Sequence, residues 1–352
     1  MTMLRELGRV NANIETAGRV SEFVQAVRFL MLSPRGGAEQ LAEKARAPSR
    51  VVEFVKSPAA AGSMTGWGSP LASFQNLATA FLQSLNQISA FDALWPSMLQ
   101  APLRTTVVAV SSTLMGGPIA EANVKPTSRL SLSASDLDVT KAVSWAAMSI
   151  ELLRMGSPEA LAILQGKLRI EIAKSTNNIF LPILTTSAPS FASSGVTALG
   201  VRQDLRVLLA NVTSGADSRL FWIVGPTIAK AWSVLPDSAG AGAFPGALTN
   251  GGQIGGVPIV VVNEAVDGEI VLVDASQVAA GTEGLVLDSS TQASVNLDAP
   301  GDSPVSASTV MTSLWQNNLV AVKAERFIGA KVLRSDAVAK ITGATYSGNS
   351  PA

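Results

Sequence analysis

Asp136 and Asp138 stand two residues apart in a run whose Ser/Leu alternation predicts a strand, a spacing that turns both carboxylates to one side. Such a pair could hold a hard cation or share acid–base work; it equally suits a solvated strand end. The segment GAGAFPG at 240–246 has the wrong spacing for GxGxxG and no strand-to-helix context to aim a helix N-terminus at phosphate, so it reads as a loop. The chain has no Walker A sequence and no GxSxG nucleophile elbow. Asn211-Val212-Thr213 matches a glycosylation acceptor, which means nothing without a secretory signal. Basic residues in positions 1–56 alternate with Glu and lack interleaved aromatics, the pattern of a solvated amphipathic face and not of a base-stacking surface.

Two zero counts exclude more than any motif includes. The chain contains no Cys, hence no disulfide, thiolate nucleophile, iron–sulfur cluster or zinc finger. It contains no His, which removes the usual general base, the Ser-His-Asp triad and most catalytic zinc sites. Ser–Lys catalysis survives in principle, because a desolvated Lys can serve as base. No Ser–Lys spacing here stands out.

The elements that would position any site belong to a chain of 352 residues, long enough for two domains and a large core. Charged residues are 15% against about 25% for an average domain. Lys+Arg and Asp+Glu are 26 each, so the net charge is zero, and 47% of the residues are hydrophobic. The longest uncharged run, 57–91, is broken by Gly, Pro, Ser, Gln and Asn and offers no membrane span. Arg5, Glu6, Arg9 and Glu15 argue against a signal peptide. Few charges and no net charge protect poorly against association, which implies that much of the surface is buried against other copies.

Periodicity predicts helices over 21–32, 38–45 and 72–88, with a flexible arm or hinge at 57–71. The β-rich run 104–112 and the alternating run 128–139 flank the turn signal Gly116-Gly117-Pro118 and predict a long two-stranded hairpin. Such a ribbon is marginal alone in water and needs a surface to lie on. The clearest helix is 157–178, with a Ser157 cap, Pro158 at the first position and a stripe of Leu161, Leu164, Leu168 and Ile172. A loop at 185–195, a helix over 202–211, a strand over 220–224 and a helix over 227–235 follow. The Gly/Ala-rich stretch 237–256 reads as a mobile loop. Strands are expected at 257–262, 269–273 and 284–287, and over most of 308–333. The pattern is mixed α+β, with a compact α/β insert.

The order of these elements resembles the major capsid proteins of tailed bacteriophages, the Hong Kong 97 capsid fold. A hairpin containing Ala120-Glu121-Ala122-Asn123-Val124-Lys125-Pro126 leads into a strand at 139–147 and then the long helix. The C-terminal stretch 309–342, with Glu325-Arg326 and Asp336-Ala337-Val338, is similar to the ending of that family's peripheral domain. The segments VPIVVVNEA and VLVDASQ between 257 and 287 resemble its axial domain. The likeness runs from about 71 to 342.

The resemblance implies an N-terminal arm region (1–70), an arm/peripheral-domain segment (71–102) and an extended loop hairpin (103–138). It further implies a peripheral domain with the spine helix (139–181), an axial domain (182–302) and C-terminal peripheral strands (303–352). It implies hexamers and pentamers tiling an icosahedral shell around double-stranded DNA held non-specifically. The partners would be further copies, a portal, and separate scaffolding or decoration proteins, with no membrane, cofactor, metal or catalytic residue. The virion is the expected location, after assembly in the host bacterial cytoplasm. The stretch before 103 already includes the arm, which speaks against a large built-in scaffold. Lys125, Glu121, Arg104, Arg129, Asn317, Glu325 and Arg326 are the candidate intersubunit contacts. Some family members join a loop Lys to an Asn by an isopeptide bond; those positions fall here at Lys125 and Asn317. The assisting carboxylate falls at Ala324, so no cross-link is expected. An encapsulin-like nanocompartment shell shares the fold and is the alternative; a His-free Ser/Lys hydrolase is the remote one.

Overall fold

The computed structural model describes residues 18–33, 37–60, 81–110, 132–155, 158–237, 240–296 and 311–346. The chain divides into two compact units. The first comprises Met1–Asn86, Lys141–Ser175 and Gly284–Arg326, the second Gln87–Thr140, Thr176–Glu283 and Phe327–Ala352.

In chain order come helices α1 (18–32), α2 (Ala38–Lys44), α3 (Ser49–Ala60) and α4 (Ala90–Leu94). Strands β1 (Leu99–Gln100), β2 (Thr106–Val110), β3 (Leu132–Asp136) and β4 (Thr140–Ser149) precede helices α5 (Ile150–Met155) and α6 (Pro158–Thr185). Then follow β5 (Ser190–Ala192), α7 (Ala198–Asn211), β6 (Leu220–Val224), α8 (Pro226–Val234), β7 (Ala247–Leu248), β8 (Gly251–Ile254) and β9 (Val257–Val261). The last strands are β10 (Ile270–Asp274), β11 (Val278–Ser290), β12 (Ser294–Val295), β13 (Thr312–Ser313), β14 (Leu319–Val332) and β15 (Val338–Thr342).

In the first unit, α1 is a core helix. Val20, Phe23, Val24, Val27 and Met31 are buried, and Phe23 stacks on Phe81 at 4.5 Å and meets Phe54 edge-on at 5.6 Å. Two long-range bonds fasten it: the Arg28 Nε–H donates to the Leu153 carbonyl at 2.8 Å, and the Ser289 hydroxyl to the Leu30 carbonyl at 2.9 Å. Residues 18–33 are therefore packed within the first unit. The expected hinge at 57–71 is corrected at its start, because α3 runs on to Ala60; positions 61–71 lie outside the described residues. So do 72–80 of the helix expected over 72–88, of which 81–83 are helical before a 3-10 turn at Ser84–Gln87. On α6, Leu164, Leu168 and Ile172 are buried while Ile163 and Ile170 are exposed, the periodicity that the sequence predicts.

The second unit is built on a seven-stranded sheet in the order β5-β15-β10-β6-β9-β8-β7. Period-two alternation divides its side chains between two cores. Trp222, Val224, Ile270, Leu272, Ala339 and Ile341 face α7 and α8, among Val201, Leu208, Ile228 and Trp232. Ile223, Val271, Val273 and Val338 face the opposite way, onto Phe91 and Leu94 of α4 and Phe180 and Leu184 of α6. That burial explains why α6 outruns its expected end at 178: Phe180, Leu181 and Leu184 are core residues, and tertiary packing overrides the weak propensity of Asn177-Asn178. The buried Asn177 side chain accepts from the Ala90 N–H at 2.9 Å and donates to the Ile88 carbonyl and to Glu264.

Three expectations change here. The stretch 237–256 is not one loop, because β7 and β8 form a hairpin around Thr249-Asn250, with positive φ at Gly251 and Gly252 where β8 begins. The expected loop 185–195 contains β5, paired in parallel with β15. The sheet of the expected insert also takes its second strand, β15, from the C-terminal stretch, so the insert is not closed on itself.

Candidate assembly hairpin and its surroundings

Strands β2 and β3 pair antiparallel, from Thr106 opposite Asp136 to Val110 opposite Leu132, and among the described residues they pair with no other strand. The β-branched residues of one strand and the Ser/Leu alternation of the other form the ribbon that the sequence predicts. Its continuation over 111–131 lies outside the described residues, and with it Glu121, Lys125 and Arg129.

The foot of the ribbon is tightly built. Val107, Leu137 and Ala279 form a small core with Ala101, Leu103 and Leu333 against it. The Ala101 N–H donates to the Ala280 carbonyl at 2.9 Å, and the Leu137 N–H to the Thr105 carbonyl at 3.0 Å. Arg104 is exposed and left-handed, with φ 61, a conformation that costs a residue with a β-carbon. The strand stops at Asp136, whose carboxylate accepts from the Thr106 hydroxyl at 2.7 Å. Asp138 stands beyond the strand, so the two carboxylates are not presented by one strand as the spacing suggests. It lines instead a groove of about 540 Å³ with Thr140, Ile183, Thr186, Lys331 and Ser335. No cluster of three or more His, Cys, Asp or Glu suited to a metal occurs among the described residues.

The first unit carries a charged group on β14. The Glu325 carboxylate takes Lys141 of β4 at 2.9 Å and Lys323 at 3.0 Å, with Asp288 of β11 at 3.8 Å from Lys323. Hydrogen bonds from Lys141 first, and then Lys323, hold the Glu325 carboxyl below the usual range. Strand alternation puts Lys323 and Glu325 outward, and Ala324 and Arg326 inward, where Arg326 is 2% exposed. Arg326 is thus buried within the first unit.

Asn317 sits in the turn that follows β13. Its side chain donates to the Ser313 carbonyl at 2.9 Å, beside Trp315, which is 74% exposed. Asn318, at φ 52, donates its side-chain amide to Glu151, and its carbonyl accepts from the Ile150 N–H. Sequence reasoning missed the two lysines around Glu325 and the exposed Trp315. The i, i+2 spacing of Lys323 and Glu325 was a usable signal; nothing local marks Lys141, 184 positions from Glu325.

Comparison with known proteins agrees with this architecture. The Phage capsid family matches residues 75–343. A capsid polyprotein of Pseudomonas phage PAJU2 is 32% identical over 270 residues, covering 71% of this chain and 40% of that protein. The chain therefore spans about two fifths of the length of that curated relative. Among solved structures, one from Gordonia phage Cozz aligns with a TM-score of 0.50 at 16% identity, over 72% of this chain and 86% of that one, which shows a shared mixed α+β fold. The capsid of an empty GTA particle aligns with a TM-score of 0.48 at 13% identity, over 73% and 91%.

Proposed function

The chain belongs to the phage capsid family, and on that footing we propose that it is the major capsid protein of a tailed phage or prophage. It assembles as hexamers and pentamers into an icosahedral shell around double-stranded DNA. The family match over residues 75–343 carries this reading. The family is one of structural proteins, so the Ser/Lys hydrolase alternative is set aside. Three physical features support self-assembly. A two-stranded ribbon finds no other strand among the described residues, a zero net charge opposes association weakly, and large apolar side chains such as Trp315 and Val234 are exposed.

In this reading residues 103–138 are the extended loop that lies across a neighbouring subunit, α6 is the spine helix, and the seven-stranded sheet belongs to the axial domain. Heterologous contacts of this kind close into rings, and rings tile a shell. Arg104, Glu121, Lys125, Arg129, Asn317, Glu325 and Arg326 remain the proposed contact residues, with Arg326 acting from beneath the surface. A portal and separate scaffolding or decoration proteins are further proposed partners, with DNA held through confinement and not through a basic groove.

Sedimentation tests this. The full chain should pellet as large particles, whereas a variant with 111–131 replaced by an Asn-Gly turn should fold and stay in the supernatant. A full chain that remains monomeric at high concentration, with candidate scaffold present, would overturn the reading.

A further inference from the structure

The packing at the foot of the ribbon shows how the hairpin gets its direction. Gly281 of β11 and Gly329 of β14 both face Leu103 and Leu137. A β-carbon at Gly281 would come within 2.6 Å of the Ala101 carbonyl oxygen, 2.7 Å of Leu103 and 3.0 Å of Leu137. One at Gly329 would collide with the Asp138 carbonyl oxygen and come within 2.9 Å of Leu103. Two strands thus lack a side chain where the chain enters the hairpin, at 101–103, and where it leaves, at 137–138. Both obstructing oxygens belong to backbone, so no side-chain rotation relieves either clash.

We propose that these two glycines form a socket for Leu103 and Leu137 that fixes the hairpin's exit angle before subunits meet, with left-handed Arg104 setting the bend. Resting on the capsid reading above, this assigns Leu103, Arg104, Leu137, Gly281 and Gly329 as positioning residues for assembly. The physical reason is preorganisation: a ribbon already aimed at its neighbour does not lose orientational freedom on docking. A ribbon that swung freely would admit several subunit angles, and a closed shell tolerates few.

The chain has no cysteine, so spin labels can be placed at Ala109→Cys on the hairpin and Glu283→Cys on β11 without background. Labelled chains diluted with unlabelled ones report only distances within a subunit. The expected result is a narrow distance distribution for the native foot, shifted or broadened by Gly281→Ala, by Gly329→Ala and by Arg104→Val. The same variants should lose uniform particle size in electron micrographs while their far-ultraviolet circular dichroism is retained. If the glycine variants fail to fold, Arg104→Val still decides through the distance distribution, because that side chain is exposed and a β-branched residue resists its left-handed φ. A broad distribution with the native foot would overturn the proposal. So would folded variants with the native distribution and native particles. Failure of the unsubstituted chain to form particles would instead strike the capsid reading, since the distances are measured independently of assembly.

Discussion

The hydroxyl of Tyr346 donates to a carboxylate oxygen of Asp204 at 2.6 Å, joining the chain beyond β15 to the inner face of α7. The same carboxylate accepts from the Ser193 hydroxyl and the Ser194 N–H, each at 2.7 Å, so one fully buried acid gathers three segments of the second unit. Replacing Asp204 by Ala leaves the buried Tyr346 hydroxyl and the part-buried Ser193 and Ser194 donors without an acceptor and should cost about 3 kcal/mol. Tyr346→Phe should cost about 1–2 kcal/mol. Urea unfolding of unassembled subunits measures both; equal, negligible losses would show that the clamp does not hold the fold.

Burial, and then the hydrogen bond to Asp204, push the Tyr346 phenol well above its ordinary value. Below a pH of about 10 the phenol is protonated in both the folded and unfolded chain, and its contribution is fully present. Above that, only the unfolded chain ionises, so stability should fall as pH rises toward the folded value. Tyr346→Phe should remove this part of the alkaline slope. The protein has 1 Tyr, so phenolate absorbance reports this group alone; absorbance that titrates near 10 in the folded protein would contradict the geometry.

Glu325 gives the opposite sign. Its carboxyl is held low by Lys141 and Lys323, so the stabilisation is present above the ordinary carboxylate range and is lost as pH falls through the lowered folded value. Glu325→Gln should flatten the acid limb of a stability–pH profile and weaken its dependence on salt. An unchanged acid limb would show that the two lysines do not act on this group.

Helix α1 should behave as part of the subunit and not as a dispensable arm. Phe23→Ala removes a ring packed between Phe54 and Phe81 and should cost about 3–5 kcal/mol. A protease-trimmed chain lacking residues 18–33 that melts with the intact one would contradict this.

Covalent cross-linking should be absent. The Asn317 amide donates to its own turn, and Ala324, where an assisting carboxylate would stand, is a buried methyl. Particles heated in SDS should run as a single band; a ladder would sink this expectation, and disulfides could not explain it.

Local pattern carried much of the fold. The stripe of α6, the alternation of β3 and the LFWIV run of β6 lie where periodicity puts them. Long-range pairing was less legible. Strand β15 enters the sheet beside β10, nearly seventy positions away, and no local signal in VAKIT says so. The end of α6 was set by the sheet it packs against, and the burial of α1 by partners at Phe54, Phe81 and Leu153. The candidate contacts came from the resemblance. Spacing alone could not tell that Arg326 points inward, because inward and outward faces exchange when a strand register shifts by one residue.

On the proposed reading, this chain builds a closed shell from copies of itself. Negative-stain electron microscopy of the purified chain, with light scattering on the same fraction, tests it most directly. Uniform shells, or rings of five and six subunits, are expected. A clean monomer that stays monomeric at high concentration and with candidate scaffold would contradict it.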